Sequence, residues 1–486
     1  MSPGAPRRVA RNASARAAGE VLAKLASLAF YVTMARRLGN EGFGDFQFAL
    51  ALTGGLVVLA GFGTDQLIAR EVARDPSRGG RLLADAAAVK VVGGLVMLLV
   101  AAAIVNVGSY SAEARTVVYV VGLGSLLEVL SKSWFSIFQA HERLELASAT
   151  LIIQRFSTAA VGITVLVLGA GTVGAAWAYA GGSALAVAVA ELWLRRSIGT
   201  RRAPADPRGW RRLVLAGVPI GLIGLLMIVL LRLDVTMLSF LAGNVAVGVY
   251  SVALRLVEAT QFIGSALSAA MLPWLARAAS ARTFGVARGY MLGLKAVNAI
   301  LLPIGLGFVL FAEPIIRLLY GARFGASVLP LRLLGMMALL YGINAYAATM
   351  LIARDRPGAF ARLVAPVIVQ NIVFNLVLIP RYGADGAAFD ALLSSFLLAA
   401  LALWQGQAIV GRSDLYGAFA GPVAAGAAMV AVVLVLALPW PVEAALAACV
   451  YVVVLGAFEW LTRRDDARVY LRVLPASRSR DDRTMA

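Results

Sequence analysis

Residues 38–50 read LGNEGFGDFQFAL, and residues 242–254 read AGNVAVGVYSVAL. Gly39 and Asn40 return as Gly243 and Asn244, Gly44 as Gly248, and Phe46 as the aromatic Tyr250. Ala49-Leu50 returns as Ala253-Leu254. The likeness continues outward. VTMARRLGN at 32–40 pairs with VTMLSFLAGN at 235–244 with one insertion, QAHER at 139–143 with IARDR at 352–356, and GTVGAAW at 171–177 with GADGAAF at 383–389. Each fragment alone is weak, because Gly and Ala are abundant. Their common register, near 204–213 residues, makes the chain an internal repeat. The glycines let each connector turn tightly between helices.

The repeat is written in lipid-compatible sequence. The chain is 60% hydrophobic and 14% charged, with mean hydropathy +0.83. A soluble domain carries about 45–50% apolar and ~25% charged residues. The sole cysteine, Cys449, excludes an internal disulfide. With a sole histidine, His141, a His-based metal centre is not expected either, nor any other metal or cofactor. A Ser–His–Asp or Cys–His catalytic set is equally unsupported, and no GxxxxGK[ST] loop is present for ATP. The chain is therefore not read as an enzyme. The net charge of +18 fits cytoplasmic loops of a membrane protein better than nucleic-acid binding.

Runs long enough to cross ~30 Å of hydrocarbon fall at 13–36, 42–62, 82–105, 115–137, 148–168, 173–194, 213–240, 245–273, 289–311, 327–352, 362–379, 384–408, 418–438 and 441–461. Glu20 and Lys24 interrupt the first run, so it reads as an uncleaved helix and not a signal peptide. The basic residues of the odd connectors are Arg36, Arg37, Arg115, Arg317, Arg323 and Arg381, far fewer than on the other side. Both termini are therefore expected in the cytoplasm. The expected fold is all-α and polytopic, with about fourteen transmembrane helices. An N-lobe (1–194) precedes a basic cytoplasmic linker (195–212) and a C-lobe (213–411), then two extra helices (412–461) and a cytoplasmic basic tail (462–486). Six spans separate the copies, so the two lobes are parallel repeats about an axis along the membrane normal. Two such lobes enclose a central cavity, and rocking them gives alternating access.

Ionisable residues within spans face cavities or partners. Glu20, Lys24, Ser27 and Tyr31 share one face of span 1. Ser125, Glu128, Lys132 and Gln139 do so in span 4, and Ser251, Arg255, Glu258 and Ser265 in span 8. Arg155 in span 5, Arg232 and Asp234 in span 7, Lys295 with Asn298 in span 9, and Asn371 with Asn375 in span 11 complete the set. Cations outnumber acids, which suits an anionic cargo, and guanidinium groups match phosphate oxygens. Lys24, Lys132, Arg155, Arg232, Arg255, Lys295, Asn371 and Asn375 are the expected substrate-binding residues. Glu20, Glu128, Asp234 and Glu258 are the ion-coupling candidates. Against this stands a staple reading, since Glu20–Lys24 and Glu128–Lys132 have self-neutralising i,i+4 spacing.

The stretch ARRLGNEGFGDFQFALAL, running on to GFGTDQLIAREVARD, resembles the N-terminal region of bacterial polysaccharide flippases. These belong to the multidrug/oligosaccharidyl-lipid/polysaccharide exporter superfamily. NLVLIPRYGADGAAFDALLS at 375–394 resembles that family's helix 11–12 junction. The resemblance implies two six-helix lobes around a cationic cavity in a bacterial plasma (inner) membrane. It implies an undecaprenyl-pyrophosphate-linked oligosaccharide as cargo, moved from the cytoplasmic to the outer leaflet for cell-surface polysaccharide synthesis. Membrane lipids and the polymerase or export machinery of the same pathway are the implied partners. The lipid II flippase branch is similar, with fourteen helices and basic residues in helices 1, 2 and 8. Lys24 and Arg255 match two of these, and the second span lacks a central cation. A cation-coupled multidrug exporter of the same superfamily would need an acidic cavity, and here the acids have basic neighbours. A polymerase or ligase would need a large outer loop, which the short odd connectors do not supply.

Overall fold

The computed structural model describes residues 5–61, 63–198, 204, 206–280, 285–353, 357–410, 412–436 and 438–462. Side chains are described within these ranges except at 5–18, 20, 207–208, 218–220, 222–227, 229, 261–280, 285–290, 292, 341–342, 345–353, 357–362, 405–410, 412–417 and 462.

Two apolar stretches, Val21–Gly61 of 41 residues and Leu363–Trp404 of 42, are about twice as long as one crossing requires. The first lies mainly in helix α1 (Ala5–Leu56) and the second in α12 (Pro357–Val410). α8 (Pro207–Ser280) is longer still. Each is broken by a glycine with positive φ: Gly39 at 69°, Gly243 at 81° and Gly383 at 54°. Glycine reaches this region at no steric cost. Contacts across the breaks show that the chain reverses. The rings of Phe30 and Phe46 are 6.0 Å apart, and the Tyr250 hydroxyl donates to Asp234 at 3.3 Å, both pairs 16 residues apart in sequence. A continuous helix would separate them by ~24 Å. Asn371 likewise donates to Asp390 at 2.6 Å. The three long helices are therefore hairpins.

Among the described residues there are fourteen α-helices. The rest are α2 (Val58–Gly61), α3 (Thr64–Arg74), α4 (Gly79–Val107), α5 (Ala112–Ala140), α6 (Leu144–Val167), α7 (Gly171–Trp193), α9 (Gly285–Leu310), α10 (Ala312–Leu319), α11 (Val328–Ala353), α13 (Arg412–Val435) and α14 (Trp440–Thr462). Among the described residues, eleven segments are long and apolar enough to cross a membrane, three of them containing the hairpin glycines. The sequence leads to an expectation of about fourteen spans; the described residues supply eleven apolar segments, three of them bent at a glycine. Val91, Val92, Leu95, Val96 and Leu99 are exposed along one face of α4, as a lipid-facing helix requires. The chain is a multi-pass membrane protein.

The repeated connectors touch each other reciprocally. A Cβ on Gly44 would lie 1.8 Å from the Asn244 carbonyl oxygen, and a Cβ on Gly248 would lie 2.0 Å from that of Asn40. Residue 40 corresponds to 244 and residue 44 to 248, so the contact is the same in both directions. Such an isologous contact is what a local two-fold relation produces.

Two compact units are present. The first draws on Met1–Ala259, Ile315–Leu334 and Gly358–Leu398. Its interior includes Phe30, Phe43, Phe46, Phe48 and Phe324, with edge-to-face packing of Phe46 on Tyr179 and of Phe43 on Phe324. Short α3 buries Leu67, Ile68 and Val72 against Leu83, Ile137 and Phe138, while Arg70 and Arg74 stay exposed. α8 begins inside the basic stretch 195–212, with Pro207 suited to its first turn. There Asp206 pairs with Arg81 at 2.9 Å, and its amide donates to Asp85 at 2.7 Å. The second unit draws on Thr260–Pro314, Gly335–Pro357 and Ala399–Ala486. Its α9, α13 and α14 pack through Leu302, Leu306, Ala425, Met429 and Tyr451, and the Tyr451 hydroxyl donates to the Ala299 carbonyl at 3.0 Å.

Candidate functional site

The polar stripes of α1, α5, α6 and α8 converge within the first unit. Glu128, Lys132, Arg155, Arg232 and Arg255 line a cavity of about 260 Å³ with Tyr31 and Tyr179. A second cavity, of about 350 Å³, has Lys24, Ser27 and Glu258 in its wall and shares Tyr31, Arg155 and Arg255 with the first. Seven residues expected from the sequence are therefore gathered here: Lys24, Lys132, Arg155, Arg232, Arg255, Glu128 and Glu258. The side chain of Glu20 lies outside the described residues.

The charges are not equally held. Arg255 is fixed on three sides. Its Nε and Nη2 donate to Gln47 Oε1 at 3.2 and 2.5 Å, its Nη1 donates to Glu258 at 2.7 Å, and its Cζ sits 4.4 Å from the Tyr31 ring centroid. Arg232 and Arg155 are held loosely, at 3.8 Å from Glu258 and Glu128 respectively. Glu128 also accepts from the Tyr179 hydroxyl at 2.9 Å and from Gln154 Nε2 at 3.5 Å. Four cations around two carboxylates leave this pair of cavities electropositive even before Lys24 is counted. Arg155 and Arg232 are the groups with donors to offer, since guanidinium carries five N–H groups in a planar fork.

Three expected residues lie in a different polar cluster of the same unit. Asn371 and Asn375 both donate to Asp234 Oδ1, at 2.9 and 2.8 Å. Asn371 also reaches Asp390, which accepts from Gln370 at 2.6 Å. None of these residues lines either cationic cavity. Lys295 is in the second unit, in a short contact with Glu459 that fastens α9 to α14.

Sequence reasoning missed Gln47, Gln154, Tyr179 and Asp390. Gln47 is a polar residue inside the repeated connector's apolar run, which was its available signal. Tyr179 and Gln154 carry no periodic mark, and only packing brings them to Glu128.

Beside the reciprocal connectors, a third cavity of about 470 Å³ holds a hydrogen-bond relay. Tyr110 meets Ser239 at 3.0 Å, Ser239 donates to Asn244 at 2.6 Å, and Asn244 donates to Asp45 at 2.6 Å. Because the Ser239 proton is committed to Asn244, Tyr110 is the donor at the first link. Burial pushes the Tyr110 hydroxyl above the usual tyrosine range. Among the described residues, no group of three or more His, Cys, Asp or Glu is placed to hold a metal ion.

Known proteins share parts of this chain. "Probable flippase AglR" of Haloferax volcanii is 29% identical over 175 residues, covering 35% of this chain and 37% of that protein. A probable low-salt glycan biosynthesis flippase of the same organism is 23% identical over 163 residues, covering 33% and 34%. The chain thus spans about a third of the length of the curated relatives it matches. Among solved structures, the inward closed conformation of the lipid II flippase MurJ superposes with TM-score 0.77 at 13% identity, covering 93% of this chain and 99% of that one. An inward-facing multidrug resistance MATE family transporter of the MOP superfamily gives TM-score 0.68 at 17% identity, covering 82% and 96%. The fold is that of these transporters. A family profile described as "polysaccharide biosynthesis protein" matches residues 9–279, more than half of the sequence, and the chain belongs to that family.

Proposed function

We propose that this protein is a flippase that carries an anionic, lipid-linked saccharide across the membrane by alternating access. One observation carries the reading: Lys132, Arg155, Arg232 and Arg255 face one cavity inside a membrane protein, with Glu128 and Glu258 as their only carboxylate partners among the described residues. Burying so many cations is costly unless an anion meets them. Arg155 and Arg232 engage the headgroup's phosphate oxygens, Lys132 and Lys24 add charge, and the lipid tail stays in the bilayer. Asp234, held by Asn371 and Asn375, is the ion-coupling candidate that stands apart from the cargo.

The cargo we propose is a polyprenyl-pyrophosphate saccharide, moved from the cytoplasmic to the outer leaflet. A pyrophosphate is repelled by a negative cytoplasm, and moving one such charge outward gains ~2.3 kcal/mol per 100 mV without ATP. Two precursors fit this chemistry, an oligosaccharide for surface polysaccharide and lipid II for peptidoglycan. The likeness in fold to the lipid II flippase, at TM-score 0.77 over 93% of the chain, favours lipid II. The test is transport in proteoliposomes of three cargoes in parallel: lipid II, an undecaprenyl-pyrophosphate oligosaccharide and a cationic dye. Movement of either lipid supports the reading and selects its branch. Movement of the dye alone overturns it in favour of a drug exporter.

A further inference from the structure

Arg255 is the most tightly held cation of the cavity, yet two of its three side-chain hydrogen bonds go to an uncharged group. Gln47 Oε1 takes two of its N–H donors, at 3.2 and 2.5 Å. Gln47 is 2% exposed, and its Nε2 has no hydrogen-bond partner among the described residues. The amide is thus buried at the expense of its own donor, which is costly unless the carbonyl has a task. Both residues lie about two helical turns beyond the reciprocal connector contact, Gln47 on α1 past Asn40 and Arg255 on α8 past Gly248. Tyr31, on the other limb of the α1 hairpin, stacks on the same guanidinium. One arginine from the second copy of the repeat therefore clasps both limbs of the first copy's hairpin, just below the point where the connectors meet.

We infer that Gln47 is a positioning residue whose neutrality lets the cargo open this clasp. The inference rests on the anionic-cargo reading above. The guanidinium charge already strengthens the bonds to Gln47, but a phosphate oxygen brings an opposite charge that the neutral carbonyl lacks, and so adds direct ion-pair attraction. An anionic headgroup entering the cavity, which Arg255 lines, outcompetes Gln47 for the guanidinium. Arg255 then leaves α1, and the seal beneath the connectors is released only when cargo is aboard. A carboxylate at position 47 would hold Arg255 as strongly as the cargo does, and the clasp would stay shut. Cargo binding and opening are linked because the same donors serve one or the other.

The test measures binding of farnesyl pyrophosphate, with farnesol as control, to the purified full-length protein by calorimetry. Wild type is compared with Gln47→Glu and with the near-isosteric Gln47→Met. Opposite shifts are expected: Q47E weakens binding by about tenfold or more, and Q47M leaves it equal or a few-fold tighter. Lipid flipping by Q47E falls in parallel. A residue that merely supports the fold would weaken binding in both variants. Equal or same-direction losses therefore overturn the inference and leave the anionic-cargo reading standing. Absence of saturable pyrophosphate binding by wild type overturns both.

Discussion

At the scale of single residues, the cavity divides its cations by how they are held. Arg155 and Arg232 make contacts of 3.8 Å to carboxylates, whereas Arg255 is bound on three sides. A loosely paired guanidinium keeps its donors for a ligand, and a saturated one must first give something up. Replacing Arg155 and Arg232 by Gln is thus expected to lower the flipping rate at least about tenfold, a loss of ~1.4 kcal/mol in transition-state stabilisation. Folding is expected to change little, because Glu128 keeps Tyr179 and Gln154 as donors. Flipping assays and thermal melting of the same preparation separate the two effects. Tyr179→Phe is a milder probe: it removes one donor to Glu128 and is expected to cost about 1.5–3 kcal/mol of stability, as a hydrogen bond to a charged group does. The melting midpoint measures it.

At the scale of elements, two features make firm predictions. The connectors pack through Gly44 and Gly248, where a Cβ would lie 1.8 and 2.0 Å from backbone oxygens of the other copy. Backbone cannot step aside as a side-chain tip can. Gly44→Ala and Gly248→Ala are each expected to lower the melting midpoint and to slow transport, by similar amounts because their surroundings correspond. Markedly unequal effects would argue against the local two-fold relation. The second feature is the Lys295–Glu459 pair between α9 and α14, with side chains 7% and 20% exposed. Removing one member of a buried pair strands the other, so Lys295→Met is expected to destabilise the protein by about 3–5 kcal/mol. Exchanging the two charges should recover part of this loss. Farnesyl pyrophosphate affinity of the folded K295M protein should equal that of wild type, which separates a staple from a cargo contact.

At the scale of the whole molecule, the reading predicts a response to voltage. An imposed potential, negative on the donor side, is expected to speed export of the lipid-linked anion and not of a cationic dye. The available drive is ~2.3 kcal/mol per charge per 100 mV. Equal rates at all potentials would show that the translocated complex carries no net charge.

The sequence by itself determined that the chain is helical and crosses a membrane many times, and it marked a recurring connector and the cations that fall within spans. Those features are local. Apolar length, helical period and the recurrence of Gly39-Asn40 as Gly243-Asn244 can be read from neighbouring positions without knowing what they touch. The reversals at Gly39 and Gly243 were legible from the connector glycines, and the one at Gly383 from the gap between the apolar runs 362–379 and 384–408. The tertiary structure alone decided which charges meet. Lys295 and Arg255 look alike in their spans, yet one finds Glu459 and the other finds Gln47, Tyr31 and Glu258. Asn371 and Asn375 share a helical face as expected, and packing turns that face to Asp234 and away from the cationic cavities. Partners across a helical bundle are set by rotation and depth, and neither is encoded in the spacing along one strand of sequence.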